Sequence, residues 1–483
     1  MSLELTPQQR EQLGRAALDW ALQYFDEQSR LPIYPTTNPT ALSALLASAL
    51  PIEPQAAHAV MAEFEAVASN GRHNGHPRMF GYMQSSASFA GVMGDLLASA
   101  LNQNVTSWRS APAATTIEHQ VIDWLKTMVG FDPGGSGVLL SGGSFANFAG
   151  LAAALRASTD RDLNRKGVAA LPGKPRVYAS AMTHMSIAKG ASLLGIGKDA
   201  VVAVPVDAAY RMDPSALATQ IASDRAAGYH AICAVATAGD VNTGAIDPLD
   251  AIADVCASQQ LWLHVDGSYG ALAAQSPQVA GALAGLARAD SLSLDPHKWL
   301  YAPLDVGCLL VRDRQALLRA FSEGADYIDV VADRDMSDYA YWDHSPELSR
   351  RFRALKIWFV LKIHGARAIQ QAIDDNIAAA HHLAQQIEQS SDFELLAPAP
   401  MSIVCFRARL RDGVSATHAE ADAFNKRLML EVQRDGDSYL SNAMIGGRFA
   451  LRACIVNYRT TLLDVEQLLT TIRRVATRIS GAV

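Results

Sequence analysis

Short apolar runs alternate with helical patterns along the middle of this chain, from about residue 110 to residue 312. The runs predict strands buried on both faces, at residues 138–140, 176–179, 231–236, 261–265, 291–294 and 306–311. Between several of them lie predicted helices, such as 214–226 and 248–259. This alternation predicts a mostly parallel α/β sheet, and such sheets bind ligands at the carboxyl ends of their strands.

The two flanking regions follow different patterns. Thr6 followed by Pro7 predicts the start of a helix that runs to about Gln28. The first 88 residues contain helices and loops without a core of their own, so we expect them to pack on another part of the protein or on a partner subunit. Residues 365–483 predict alternating helices and strands in a small α+β domain. We therefore predict three units, residues 1–88, 89–364 and 365–483, with a long functional loop at 321–346.

Charge and cysteine content exclude several classes of protein. A net charge of −7 argues against non-specific nucleic-acid binding, which needs a basic surface. Five scattered cysteines without a CxxC pair are typical of reduced core thiols in a cytosolic protein, and we expect no metal site. The sequence shows neither a signal-peptide pattern nor an apolar run long enough to span a bilayer. We expect a cytoplasmic protein without membrane association.

Two strand ends carry the residues that indicate chemistry. Lys298 follows the strand at 291–294 and stands between His297 and Trp299, while Asp266 ends the strand at 261–265. Pyridoxal phosphate (PLP) needs a lysine that forms a Schiff base and an aspartate that pairs with its pyridinium nitrogen. A surface lysine and an aspartate that caps a turn are the ordinary alternatives. The two rings beside Lys298 favour an enclosed site.

Two further features fit the same cofactor. Ser141-Gly142-Gly143-Ser144 follows the strand at 138–140 and opens a predicted helix, so its backbone N–H groups could cradle a phosphate. A plain tight turn is the alternative. His184 comes shortly after the strand at 176–179 and either stacks on the cofactor ring or is structural.

Together these segments resemble the group II pyridoxal-phosphate decarboxylases, the family of aromatic-L-amino-acid, histidine and glutamate decarboxylases. The resemblance extends over nearly the whole chain, through the runs at residues 108–115, 141–144, 264–269, 295–299, 350–356 and 446–452. It implies the PLP-dependent transferase fold type I, which is aspartate aminotransferase-like. It also implies a homodimer with active sites at the interface.

Carried over by position, the resemblance implies four catalytic residues. Lys298 is the Schiff-base lysine, and Asp266 is the partner of the pyridinium nitrogen. His184 stacks on the cofactor ring and helps to orient the substrate. Tyr327, in the long loop, closes over the neighbouring subunit's site and protonates the substrate carbon.

The resemblance also implies contacts to the cofactor and to the substrate. Further cofactor contacts are Gly143, Ser144, Ser268, Asp295 and His297. Substrate contacts are Ser85, Tyr82 and Thr106.

Some positions depart from the family pattern. Asp295 replaces an asparagine, and a carboxylate beside a phosphate is repulsive unless it is turned away. Asp240 and Val241 stand where aromatic amino-acid decarboxylases have threonines, and Thr106 stands where those enzymes have an aromatic residue. Phe145 follows the phosphate turn where an acidic residue is frequent.

The leading hypothesis is therefore PLP-dependent decarboxylation of an L-amino acid to its primary amine and CO2. An oxidative aldehyde synthase on the same scaffold is the alternative, since such enzymes usually lack the loop tyrosine. An aminotransferase is a third hypothesis, and a PLP-free regulatory protein is a fourth.

Overall fold

The computed structural model describes residues 3–35, 37–322, 339–410 and 417–480. A seven-stranded sheet lies at the centre of the larger part. Its strands are β1 (Ser136–Leu140), β2 (Pro175–Ser180), β3 (Val201–Val204), β4 (His230–Thr237), β5 (Trp262–Asp266), β6 (Ser291–Leu294) and β7 (Gly307–Val311). Their order is β1-β7-β6-β5-β4-β2-β3. Neighbouring strands are parallel except where β7 meets β1 and β6, which confirms the predicted mostly parallel sheet.

Thirteen α-helices lie in the described part of the chain up to residue 322. They are α1 (Pro7–Glu27), α2 (Pro39–Leu46), α3 (Ala57–Ser69), α4 (Phe89–Leu101), α5 (Pro112–Val129), α6 (Gly143–Ala157), α7 (Leu163–Lys166), α8 (Met185–Leu193), α9 (Pro214–Ala226), α10 (Leu249–Ser258), α11 (Ala280–Leu283), α12 (Pro296–Trp299) and α13 (Ala316–Phe321). The predicted start of α1 is confirmed, because Thr6 is the N-cap, Pro7 is the first helical residue, and Thr6 and Gln9 form a reciprocal capping box.

The register of the sheet determines where the chemistry lies. Thr237 of β4 pairs with Asp266 of β5, and Asp266 pairs with Ser293 of β6. Asp266 therefore stands at the carboxyl end of a central strand. One residue beyond β6, Asp295 precedes the single-turn helix α12, which carries Lys298 to the same edge.

The C-terminal part is a small α+β unit, as predicted. It contains α14 (Ala354–Glu388), β8 (Phe393–Leu395), β9 (Ile403–Ala408), α15 (His418–Asp435), β10 (Ser441–Ile445), β11 (Arg448–Cys454) and α16 (Leu462–Ser480). The antiparallel sheet has the order β10-β11-β9-β8. The sequence patterns missed β8 and β10, which lie at the two edges of this sheet. Edge strands are short or half exposed, so they lack the apolar run of a central strand.

The first three helices differ from the rest of the molecule. None of α1, α2 and α3 contains a buried residue. Large apolar side chains are exposed on this segment, among them Leu45, Leu50, Ile52 and Phe64. This segment therefore has apolar surface that the rest of the chain does not bury. No described helix is long and apolar enough to cross a membrane.

Candidate active site

A cavity of about 650 Å³ opens at the carboxyl ends of the central strands. It brings together residues that are far apart in the sequence. The predicted residues that line it are Tyr82, Ser141, Gly142, Gly143, Ser144, His184, Asp266, Ser268, Asp295, His297 and Lys298. The residues that were predicted at the ends of the strands therefore line a single cavity.

The turn between β1 and α6 forms one wall of the cavity. A Cβ atom on Gly143 would lie 2.3 Å from Ser268 Oγ and 2.7 Å from Asp295 Oδ2, so only glycine fits here. No side chain caps the amino end of α6, a helix of 15 residues. The first N–H groups of a helix have no partner within the helix, and they favour an anion. The turn therefore suits a phosphate group.

Asp266 lies at the floor of the cavity, and each of its oxygens accepts hydrogen bonds. Oδ2 accepts from Asn147 Nδ2 at 2.8 Å, and Oδ1 accepts from the Ser268 N–H and from Ser293 Oγ, both at 3.1 Å. Burial alone would raise the pKa of Asp266, but the bonds from Ser268 and the charge of Lys298 outweigh it, and the pKa is lowered. Asp266 therefore keeps a negative charge.

Asn147 is a site residue that the sequence patterns missed. Besides Asp266, it donates to Ser186 Oγ at 2.9 Å, and its Oδ1 lies 2.9 Å from His264 Nε2. Because Oδ1 only accepts, the proton of His264 sits on Nε2, while Nδ1 faces Ser291 Oγ at 2.8 Å. Burial lowers the pKa of His264 to about 4, which keeps it neutral. An asparagine near the middle of a mostly apolar helix was the available signal.

His184 connects to the same network from another side. It caps α8, and its Nδ1 lies 2.9 Å from Ser186 Oγ. Burial lowers the pKa of His184, so its ring is neutral at neutral pH. The ring borders the cavity beside Asp266, where it can pack on a planar ligand.

Lys298 and its neighbours in sequence point in different directions. Lys298 Nζ lies in the cavity, 3.0 Å from Asp295 Oδ2. His297 Nδ1 is 2.6 Å from the carbonyl oxygen of Val306, which leaves Nε2 on the cavity side. Trp299 does not enclose the site as expected. It is fully buried and packs on Tyr269 instead, because successive residues of a helical turn project about 100° apart.

The predicted substrate contacts are not all in the cavity. Tyr82 lines it with a left-handed backbone (φ 62°). Ser85 is not among the lining residues, but its Oγ donates to the carbonyl of His297, which lines the cavity, at 3.0 Å. Thr106 does not line the cavity of its own chain. Its carbonyl accepts from the Tyr341 N–H at 2.8 Å. Tyr327 lies outside the described residues.

The small C-terminal unit contributes a cation that the sequence patterns did not single out. Arg452 lines the cavity, is buried, and donates from Nε to Ser441 Oγ at 3.1 Å and from Nη1 to the Val241 carbonyl. Val241 lines the cavity as well. Asp240 turns inward and accepts from the N–H groups of residues 242, 243 and 245, so it shapes the turn that presents Val241.

These residues fit PLP. An amine in a cavity, a buried charged carboxylate and an uncapped helix terminus match its aldehyde, its pyridine nitrogen and its phosphate. Among the described residues, no cluster of histidine, cysteine, aspartate and glutamate could hold a metal ion. All five cysteines are buried and free.

Comparison with known proteins gives a consistent set of relatives. The family model of the pyridoxal-dependent decarboxylase conserved domain matches residues 39–409. An aromatic-L-amino-acid decarboxylase of Bacillus atrophaeus is 33% identical over 480 residues, 99% of this chain and 98% of that protein. A phenylacetaldehyde synthase of Petunia hybrida is 30% identical, over 94% of this chain and 92% of that protein. The crystal structure of Oryza sativa TDC with PLP and tryptamine matches with a TM-score of 0.91 and 30% identity, over 99% of this chain and 100% of that chain.

Proposed function

The chain belongs to the pyridoxal-dependent decarboxylase family, and on that premise we propose that its reaction takes place in the cavity around Lys298. Membership makes the protein a PLP-dependent amino-acid decarboxylase, which releases CO2 from an amino acid and forms the amine. The observation that carries the proposed site is the meeting of Lys298 with a charged Asp266 at one edge of the sheet.

The roles of the side chains follow from their contacts. When bound, PLP supplies a protonated pyridine ring that accepts the electron pair left behind by departing CO2. Lys298 is the nucleophile that holds the cofactor covalently. Asp266, whose charge is fixed by three hydrogen bonds, keeps the proton on the pyridine nitrogen. The neutral ring of His184 packs against the cofactor, and the turn at 141–144 with His297 holds the phosphate.

Two further groups act on the substrate in this proposal. Arg452 is a rigidly held cation that faces the cavity and suits an anionic group of the substrate. Tyr327 delivers the proton to the substrate carbon as a general acid. Ser85 and Tyr82 border the substrate space.

We also propose a cytoplasmic homodimer in which each subunit completes the other's site. The exposed apolar side chains of α1 to α3 support it, since exposed surface of this kind marks interaction sites. Thr106 contacts the substrate of the neighbouring subunit in this arrangement. The proposed units remain residues 1–88, 89–364 and 365–483, and the non-helical backbone of Gly365 inside α14 supports the second boundary. Five free thiols suit a reducing compartment.

The experiment is mass spectrometry of products after PLP-loaded protein is incubated with a pool of L-amino acids. A single primary amine is expected, and its identity names the substrate. Lys298→Ala should lose both the product and the visible absorbance of lysine-bound cofactor. Full activity in this variant would refute the proposed role of Lys298.

An aldehyde synthase is the second candidate, because a relative of that name is 30% identical. The product distinguishes the two, since a synthase releases an aldehyde and hydrogen peroxide. If Tyr327 is the proton donor, Tyr327→Phe should shift the products from amine toward aldehyde. Unchanged amine output would contradict the role of Tyr327.

A further inference from the structure

Asp295 stands where the family pattern has an asparagine, and its carboxylate is not turned away from the phosphate turn. Its Oδ2 lies so close to Gly143 that a Cβ on that glycine would be 2.7 Å away, and its Oδ1 would be 2.8 Å from a Cβ on Gly307. The carboxylate is thus wedged between the first residue of α6 and β7. Its side chain is 3% exposed.

Few groups offset this buried charge. Oδ2 is 3.0 Å from Lys298 Nζ and 3.7 Å from His297 Nε2. Oδ1 has no hydrogen-bond partner among the residues that the structure describes. A buried carboxylate oxygen that no protein group donates to is costly, because the protein does not replace its hydration. Lys298 is therefore the principal counter-ion of Asp295.

The same lysine and the same turn are the parts of the site that a cofactor would engage. A phosphate at the amino end of α6 would bring a second anion next to Asp295, in a wall of low dielectric where repulsion is strong. An asparagine would present no such charge.

We propose that the charge of Asp295 lowers the affinity of this site for the phosphate of its cofactor. Lys298 offsets part of the repulsion between the carboxylate and the phosphate. This inference rests on the proposed phosphate site at residues 141–144. Its consequence is a cofactor that exchanges with the solution more readily than it would with a neutral side chain at residue 295.

The test measures equilibrium binding of pyridoxine 5′-phosphate and of pyridoxine to the cofactor-free protein. Neither ligand has an aldehyde, so neither forms a covalent bond with Lys298, and only the first carries a phosphate. We expect Asp295→Asn to bind pyridoxine 5′-phosphate about tenfold or more tightly than the unsubstituted protein. The affinity for pyridoxine should stay the same.

A second variant separates charge from hydrogen bonding. Asparagine adds an amide donor that could itself bind phosphate, whereas Asp295→Leu removes the charge without adding a donor. Both variants should bind pyridoxine 5′-phosphate more tightly. If only the asparagine variant does so, the gain comes from the new donor and the inference is wrong.

Asp290→Asn is the matched control, because Asp290 precedes the opposite end of the same strand, β6, and accepts from the Leu263 N–H. It removes one negative charge from the chain and should leave both affinities unchanged. Equal binding of pyridoxine 5′-phosphate by the unsubstituted protein and both Asp295 variants would overturn the inference alone. No binding by any of the proteins would overturn the proposed phosphate site and the inference with it.

Discussion

Two buried aspartates in one cavity, Asp266 and Asp295, are stabilised in opposite ways. Both follow or end central strands, and both lie close to Lys298. Asp266 accepts three hydrogen bonds from fixed groups of the protein. Asp295 has one oxygen without a partner among the described residues and depends on the ammonium group of Lys298.

The difference shows that one site can hold one carboxylate mainly by fixed hydrogen bonds and another mainly by its ion pair with Lys298. Donors that belong to the folded backbone and to packed side chains stay in place throughout a reaction. In the proposed site, Lys298 also bonds to the cofactor, so it cannot pair with Asp295 in the same constant way. The donors around Asp266 are therefore preorganised, while in the proposed site the environment of Asp295 changes when the cofactor binds.

The substitution that tests this comparison most strongly is Asp266→Asn. It removes the negative charge of Asp266 but keeps the shape of the side chain. We expect kcat to fall at least about a hundredfold, because in the proposed mechanism this negative charge keeps the pyridine nitrogen protonated. Steady-state kinetics with saturating PLP measures it. A kcat within a factor of two of the unsubstituted enzyme would contradict the role of Asp266.

Acid should lower the free energy of unfolding through His264, which belongs to the hydrogen-bond network around Asp266. The unfolded chain takes up a proton at this side chain below about pH 6.5, but the folded protein does so only near pH 4, because burial lowers its pKa to about 4. The free energy of unfolding should therefore fall as the pH drops from 6.5 to 4, with His264 contributing on the order of 3 kcal/mol. Urea unfolding at several pH values measures the slope.

His119 offers a matched control for that prediction. Burial also lowers its pKa to about 4, but it packs on Tyr339 and Tyr341 and does not line the cavity. Both His119→Gln and His264→Gln should flatten the decline of stability with acid. Only His264→Gln should also lower kcat. A decline equally steep in both variants and the unsubstituted protein would refute the assignment to these histidines.

Asn147→Ala tests the hydrogen-bond network that holds the carboxylate of Asp266. It removes the donor to Asp266 Oδ2 and leaves that oxygen without its 2.8 Å partner. We expect kcat to fall about tenfold with little change in KM, since the substrate does not contact Asn147 in the proposed site. A change in KM alone would mean that Asn147 acts on substrate binding instead.

Ser293→Ala should have the smallest effect. It removes one of two donors to Asp266 Oδ1, and the Ser268 N–H remains. We expect about a threefold loss of kcat. A loss as large as that of Asp266→Asn would show that the donors around Asp266 do not share the stabilisation.

Much of the framework could be predicted from the sequence, because it depends on local patterns. Buried strands are continuous apolar runs, and the residues that follow them lie at one edge of a parallel sheet. Lys298, Asp266 and the turn at 141–144 were predicted for that reason, and the structure places them around one cavity. The edge strands β8 and β10 were missed because they lack such a run. The edge strand β3 is a run of four apolar residues, Val201–Val204, and it was overlooked in the sequence.

The sequence by itself determined the type of sheet, the strand ends and the family, since each depends on residues close together in the chain. Only the tertiary structure decided that Asn147 bonds to Asp266, 119 positions away, and that Arg452 reaches the cavity from the small unit. It also decided that Trp299 faces the core and that Asp295 lies against Gly143. Such contacts depend on how helices and strands pack against each other. Neighbouring residues on a helical turn also point in different directions, so one side chain enters the core while the next enters the site.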